Sequence, residues 1–141
     1  VLLLFSLVAP AHPIFFVILV LIGSILPDVD HSGSMINRMV PLTRWIPYFF
    51  EHRGFFHSIF PPIILVVLTW TLDVPWFGGY VMIGYLSHLL SDACTHMGVN
   101  FLYPLSRFQI KGFMKTGGVT EFFIVIGVCV LDCLLLVRSI W

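Results

Sequence analysis

Apolar residues run along this chain in long blocks separated by short polar clusters. They show neither the two-residue alternation of a half-buried strand nor the interrupted stripe of a surface helix. Five blocks stand out, over residues 1–9, 13–27, 54–72, 76–95 and 119–138. A bilayer core takes about 20 apolar residues per helix, so the pattern predicts an all-α chain: a transmembrane bundle of about five spans in a single integral membrane domain. The first block has the character of a helix tail whose beginning precedes Val1, with no basic leader or cleavage site to make it a signal peptide. The second is short for a bilayer and stops at Pro27, which predicts local thinning of the membrane around it.

Two longer connectors, about residues 28–53 and 96–118, alternate with short turns, which places both on one side of the membrane. In the first, Ser34 is expected to cap a short helix carrying Met35, Ile36, Met39 and Val40 that Pro41 stops, with Trp45 and Tyr48 at the interface. In the second, Arg107, Lys111 and Lys115 recur every four residues and predict a helix with one basic stripe against anionic headgroups.

Composition strengthens this picture. Of 141 residues, 59% are hydrophobic and 10% charged, where a soluble domain carries about 25% charged residues. Mean hydropathy is +1.02. Seven basic and seven acidic residues cancel, so no nucleic-acid partner is expected. The placement of the basic residues says more than their sum: Arg38, Arg44, Arg53, Arg107, Lys111 and Lys115 all fall in the two connectors, and only Arg138 lies at the other face. The positive-inside bias makes the connector face cytoplasmic. Cys94, Cys129 and Cys133 have neither metal-site nor disulfide spacing and are expected to be small core residues.

Ionisable side chains at a membrane edge are costly and call for a partner or a role. Asp28, Asp30 and His31 follow the second span, His52 and His57 open the third, His88 and Asp92 end the fourth, and Glu121 begins the fifth. The alternating topology brings all eight to the same end of the bundle. His88 and Asp92 are four apart and share a helix face, about 5–6 Å between Cβ atoms. Pro61 and Pro62 are expected to kink the third helix just inside the site and make room for a substrate.

Imidazole with carboxylate and no thiolate suits a divalent transition metal, Zn²⁺ first, then Mn²⁺ or Fe²⁺, and eight ligands suit two ions. Such a pair activates water for hydrolysis, with Asp28, Asp30 or Glu121 as general base and Arg53 anchoring a phosphoryl or carboxyl oxygen. The substrate expected at that depth is a membrane lipid or a lipid-linked phosphoester. Two other readings stay open: a metal-ion carrier or sensor, and a metal-independent lipid phosphatase with a histidine nucleophile. His12 is expected to be interfacial and His96 an optional ligand, while Asp132, about 16 Å along the fifth span from Glu121, has no assigned role.

The ordered motifs "LPDVDH", "HRGFFHS", "GYLSHLLSD", "GVNFLYP" and "TGGVTE" resemble the YdjM-like family of LexA-binding, inner-membrane-associated proteins classed as metal-dependent hydrolases. The resemblance runs from Gly23 to Glu121 and implies functional roles for Asp28, Asp30, His31, His52, Arg53, His57, His88, Asp92 and Glu121. This chain departs from the family pattern at Phe56, where threonine is usual, at His96, where proline is more frequent, and in lacking the threonine-histidine signature of the first span.

Overall fold

A computed structural model describes residues 12–40 and 54–114, with isolated positions at 43, 45, 48, 126 and 127. The expected spans over 1–9 and 119–138, and with them His52, Arg53, Lys115, Glu121 and Asp132, lie outside the described residues. The described residues are helical, without strands: α1 (Pro13–Ile25), α2 (Met35–Met39), α3 (Phe60–Thr71) and α4 (Pro75–Ala93), with 3₁₀ turns at Leu26–Asp30 and Phe55–His57. Proline opens α1 and α4 and occupies the first turn of α3, where its missing N–H costs nothing.

Helix α4 is the centre and packs against both α1 and α3. It runs parallel to α1 in a fixed register: His12 meets Trp76, Phe16 meets Tyr80, Val20 approaches Gly84, and Ser24 meets His88. Each pair is one helical turn beyond the last, so the C-terminal ends of α1 and α4 emerge together. Close approach here rests on glycine. A Cβ on Gly84 would collide with the carbonyl of Val20, and one on Gly23 with the carbonyl of Val81. Small residues of this kind let membrane helices approach backbone to backbone. Phe16, Leu19, Val20, Tyr80 and Val81 fill the core beside them, with Phe16 edge-on to Tyr80 at 5.1 Å. Helix α3 runs the opposite way, since Thr69 near its end lies against Gly78 near the start of α4.

The outer faces are apolar. Ile14, Ile18, Leu21 and Ile22 of α1 and Ile64, Val67, Leu68 and Trp70 of α3 are all exposed, as lipid-facing residues would be. Among the described residues, only the run Pro13–Asp30 is both long and apolar enough to cross a membrane. Helix α4 has the length, but its glycines, Ser87, His88 and Asp92 dilute its hydropathy.

Three expectations are corrected. The block over 54–72 is not one kinked helix. Ser58 is extended (φ −118°, ψ 173°), so His57 sits in a separate 3₁₀ turn and the prolines start α3 rather than bend it. Helix α3 is therefore 12 residues, about 18 Å, well short of a bilayer core of about 30 Å. The second connector forms no helix over its described part. Val99 and Ile110 exchange backbone hydrogen bonds at 3.0 Å, Gly112 and Met114 donate to Thr95 and Cys94, and Arg107 and Lys111 lie on that extended return. Gly112 passes so close over Cys94 that a side chain would collide with its backbone, a path that helical geometry would not permit. The short helix of the first connector does form, and the Asn37 amide donates to Ser34 Oγ at 3.4 Å as a cap.

Candidate metal centre

Pro27 ends regular helix in α1, and the chain tightens into the 3₁₀ turn Leu26–Asp30. With three residues per turn, side chains two apart leave such a turn in different directions. Asp28 and Asp30 consequently face different partners. Asp28 Oδ1 lies 4.0 Å from His57 Nε2 and 3.7 Å from His88 Nε2. Asp30, 2% exposed, sits behind His57 with Oδ2 3.1 Å from Nδ1.

The two imidazoles are fixed from the back. His88 Nδ1 donates to the Ser24 carbonyl at 2.8 Å; Ser24 belongs to the last turn of α1, and Pro27, three residues on, has no N–H to offer that carbonyl. That bond places a proton on Nδ1, so in the neutral ring the lone pair lies on Nε2. His57, 1% exposed, faces the Asp30 carboxylate through Nδ1, so its Nε2 also points forward. Asp92 supplies a second carboxylate, with Oδ2 3.5 Å from His57 Nε2 and 3.8 Å from His88 Nε2.

Single ligand atoms of Asp28, His57 and His88 all lie within 4.8 Å of one another, and Asp92 Oδ2 approaches both imidazoles from beside them. Ligand bonds of about 2.0–2.1 Å in a tetrahedral zinc site separate neighbouring ligand atoms by about 3.4 Å. The measured separations of 3.5, 3.7, 3.8 and 4.0 Å are slightly wider. The donor set and its spacing fit a divalent transition metal, and the described residues gather donors for one ion.

His31 is exposed and stands outside this group. It follows the 3₁₀ turn in extended backbone, and its ring lies beside Gly33. His96 is exposed and also apart from it. His12 is exposed at the opposite end, its ring 4.7 Å from that of Trp76 and tilted by 50° to it. His52, Arg53 and Glu121 lie outside the described residues.

Three supporting residues escaped sequence reasoning. Ser24 acts through its carbonyl, which no side-chain pattern reveals. Asn37 is buried and its amide nitrogen donates to the carbonyls of Val29 (2.9 Å) and His31 (2.8 Å), closing the turn that carries both aspartates. Its signal was an amide flanked by Met35, Ile36 and Met39 in a short helix. The Tyr85 hydroxyl donates to the Phe56 carbonyl and ties the His57 turn to α4; it lies one turn before His88.

Asp30→Asn retains the shape behind His57 but removes the charge that holds its ring. Such outer partners typically change metal affinity by about 10–100-fold. A loss in that range by Zn²⁺ titration of purified protein, with unchanged thermal stability, is the expected result.

The comparisons with known proteins agree with a membrane protein. Over 115 residues the chain is 33% identical to the uncharacterized protein YvsG of Bacillus subtilis, covering 79% of this chain and 72% of YvsG. Over 96 residues it is 38% identical to the inner membrane protein YdjM of Escherichia coli, covering 61% of this chain and about half (48%) of YdjM. The YdjM of Shigella flexneri matches equally. No solved structure matches. The family model described as YdjM inner membrane protein matches residues 1–140, and on that match the chain belongs to the YdjM family of inner membrane proteins.

Proposed function

We propose that this chain is a membrane-embedded, metal-dependent hydrolase acting on a lipid or lipid-linked phosphoester at the cytoplasmic edge of the bilayer. One observation carries the reading: His57 and His88 have their Nδ1 atoms engaged from behind, and both Nε2 atoms converge with Asp28 and Asp92. Asp28 and Asp92 face the two imidazoles and Asp30 stands behind His57, a gathering of acidic groups that a divalent cation would offset where uncompensated charge is expensive.

Asp28, His57, His88 and Asp92 would hold the ion, with Zn²⁺ favoured over Mn²⁺ or Fe²⁺. Bound there, it supplies Lewis acidity to a water and to a phosphoryl oxygen. Asp30 holds the His57 ring and its Nδ1 proton, a positioning role in place of the general-base role that sequence pattern suggests. Among the described carboxylates of the site, Asp28, with 43% of its side chain exposed, is the one most open to water. It takes the proton of the attacking water and returns it to the leaving alkoxide as the P–O bond breaks. Arg53 as anchor, Glu121 as an alternative base, and a second ion held with His52 belong to the same proposal.

The test is release of a water-soluble headgroup product from anionic phospholipid vesicles containing the full chain. Zn²⁺ or Mn²⁺ should stimulate release, a chelator should abolish it, and His57→Ala should lower it more than the 10–100-fold typical of outer partners. Metal entry into the vesicles with no lipid product would overturn hydrolysis and favour the carrier.

A further inference from the structure

Beside the metal centre is a cavity of about 190 Å³ lined by Leu26, Phe56, Pro61, Pro62, Leu65 and Tyr85. Its walls continue those of the site. Leu26 begins the turn that carries Asp28, Phe56 precedes His57, and Tyr85 lies one helical turn before His88. Among these side chains the only polar atom is the Tyr85 hydroxyl, and it is committed to the Phe56 carbonyl. The cavity offers an occupant carbon surface and no side-chain hydrogen bond.

Resting on the hydrolase reading, we infer that this cavity holds a segment of the hydrocarbon chain of the molecule whose polar group reaches His57 and His88. Apolar cavities of about 150 Å³ stay dry and take up benzene, so this one accommodates on the order of six to eight carbons. A chain source is adjacent. Leu26, Phe56, Pro61 and Leu65 are only half-buried, and the flanking residues Ile25, Ile63 and Ile64 present exposed apolar side chains. The substrate class is thus a lipid held partly by its tail, rather than a soluble ester captured at its head alone.

The experiment uses the full chain in phosphatidylcholine nanodiscs with a long-chain alkyl phosphate bearing a diazirine on its chain. After irradiation, adducts should concentrate on Phe56 and Leu65 above the level at Ile18, an exposed residue of α1. Leu65→Trp fills the cavity. Each methylene excluded from an apolar site is worth about fourfold in affinity, so adducts at Phe56 should fall about tenfold while those at Ile18 are unchanged. Zn²⁺ titration of the same sample reports whether the metal centre survives, and the smaller change Leu65→Phe serves if the tryptophan variant loses its fold. Labelling of Phe56 no higher than of Ile18, or indifferent to Leu65 substitution, would overturn the inference. The probe requires neither turnover nor metal, so a labelled cavity in a protein that binds no metal would sink the hydrolase reading alone.

Discussion

Replacing His88 and Asp92 together by alanine is expected to remove bound transition metal almost completely. Wild-type protein purified from zinc-supplemented cells should carry at least about one equivalent per chain, held by Asp28, His57, His88 and Asp92. The double variant leaves Asp28 and His57, whose facing atoms are 4.0 Å apart, and loses one imidazole and one carboxylate. Affinity should drop by at least about a thousandfold, since the loss of one outer partner already costs about 10–100-fold. Elemental analysis and Zn²⁺ titration read the outcome, and wild-type protein that is metal-free after supplementation would remove the basis of the proposed function. The variant should remain folded, because neither side chain belongs to the core of Phe16, Leu19, Val20, Tyr80 and Val81.

Gly84→Ala is expected to have the opposite profile, a large loss of stability through a single methyl. The added Cβ meets the Val20 carbonyl and, at 2.9 Å, the Ser24 amide, both of which are backbone atoms with no rotamer to yield. Overpacking commonly costs about 1–3 kcal/mol, and a collision of this kind lies at or above the upper end. Gly79 is the internal control: nothing lies within 4 Å of a Cβ there. Gly79→Ala should be neutral or stabilising by up to about 1 kcal/mol through helix propensity. Thermal unfolding in detergent compares the two, and equal behaviour would show that α1 and α4 do not touch at Gly84. Metal affinity should fall with stability in Gly84→Ala, because Ser24 and His88 meet one turn beyond the same contact.

Much of this arrangement was legible in the chain, for identifiable reasons. Long apolar blocks marked α1 and α4, and their common direction placed "PDVDH" and "SHLLSD" at one end. Ser34, just ahead of Met35, Ile36, Met39 and Val40, signalled the cap of α2. The division of labour between Asp28 and Asp30 was not legible, because two aspartates two residues apart look equivalent until the 3₁₀ geometry separates them. His31 looked like a third ligand for the same reason. The periodic basic residues of the second connector suggested a helix, but spacing of four carries no information on the long-range pairing of Val99 with Ile110 that overrode it. The prolines were read as a kink because the apolar block appeared continuous. Its interruption at Ser58 is a backbone event with no hydropathy signal.

The start of α3 has a consequence for recognition of anions. A helix opens with four amide donors that lack intrahelical partners, and these commonly cradle phosphate. Here two of the four positions are Pro61 and Pro62, which have no N–H; the Ile59 amide donates to the Phe101 carbonyl at 2.9 Å, and the Phe60 amide to Ser58 Oγ at 3.4 Å. The helix nearest His57 therefore enters the apolar region with every initial donor either absent or already spent. An anionic headgroup finds no backbone cradle at the start of α3, and in the proposed hydrolase its countercharge comes instead from a cation or a guanidinium.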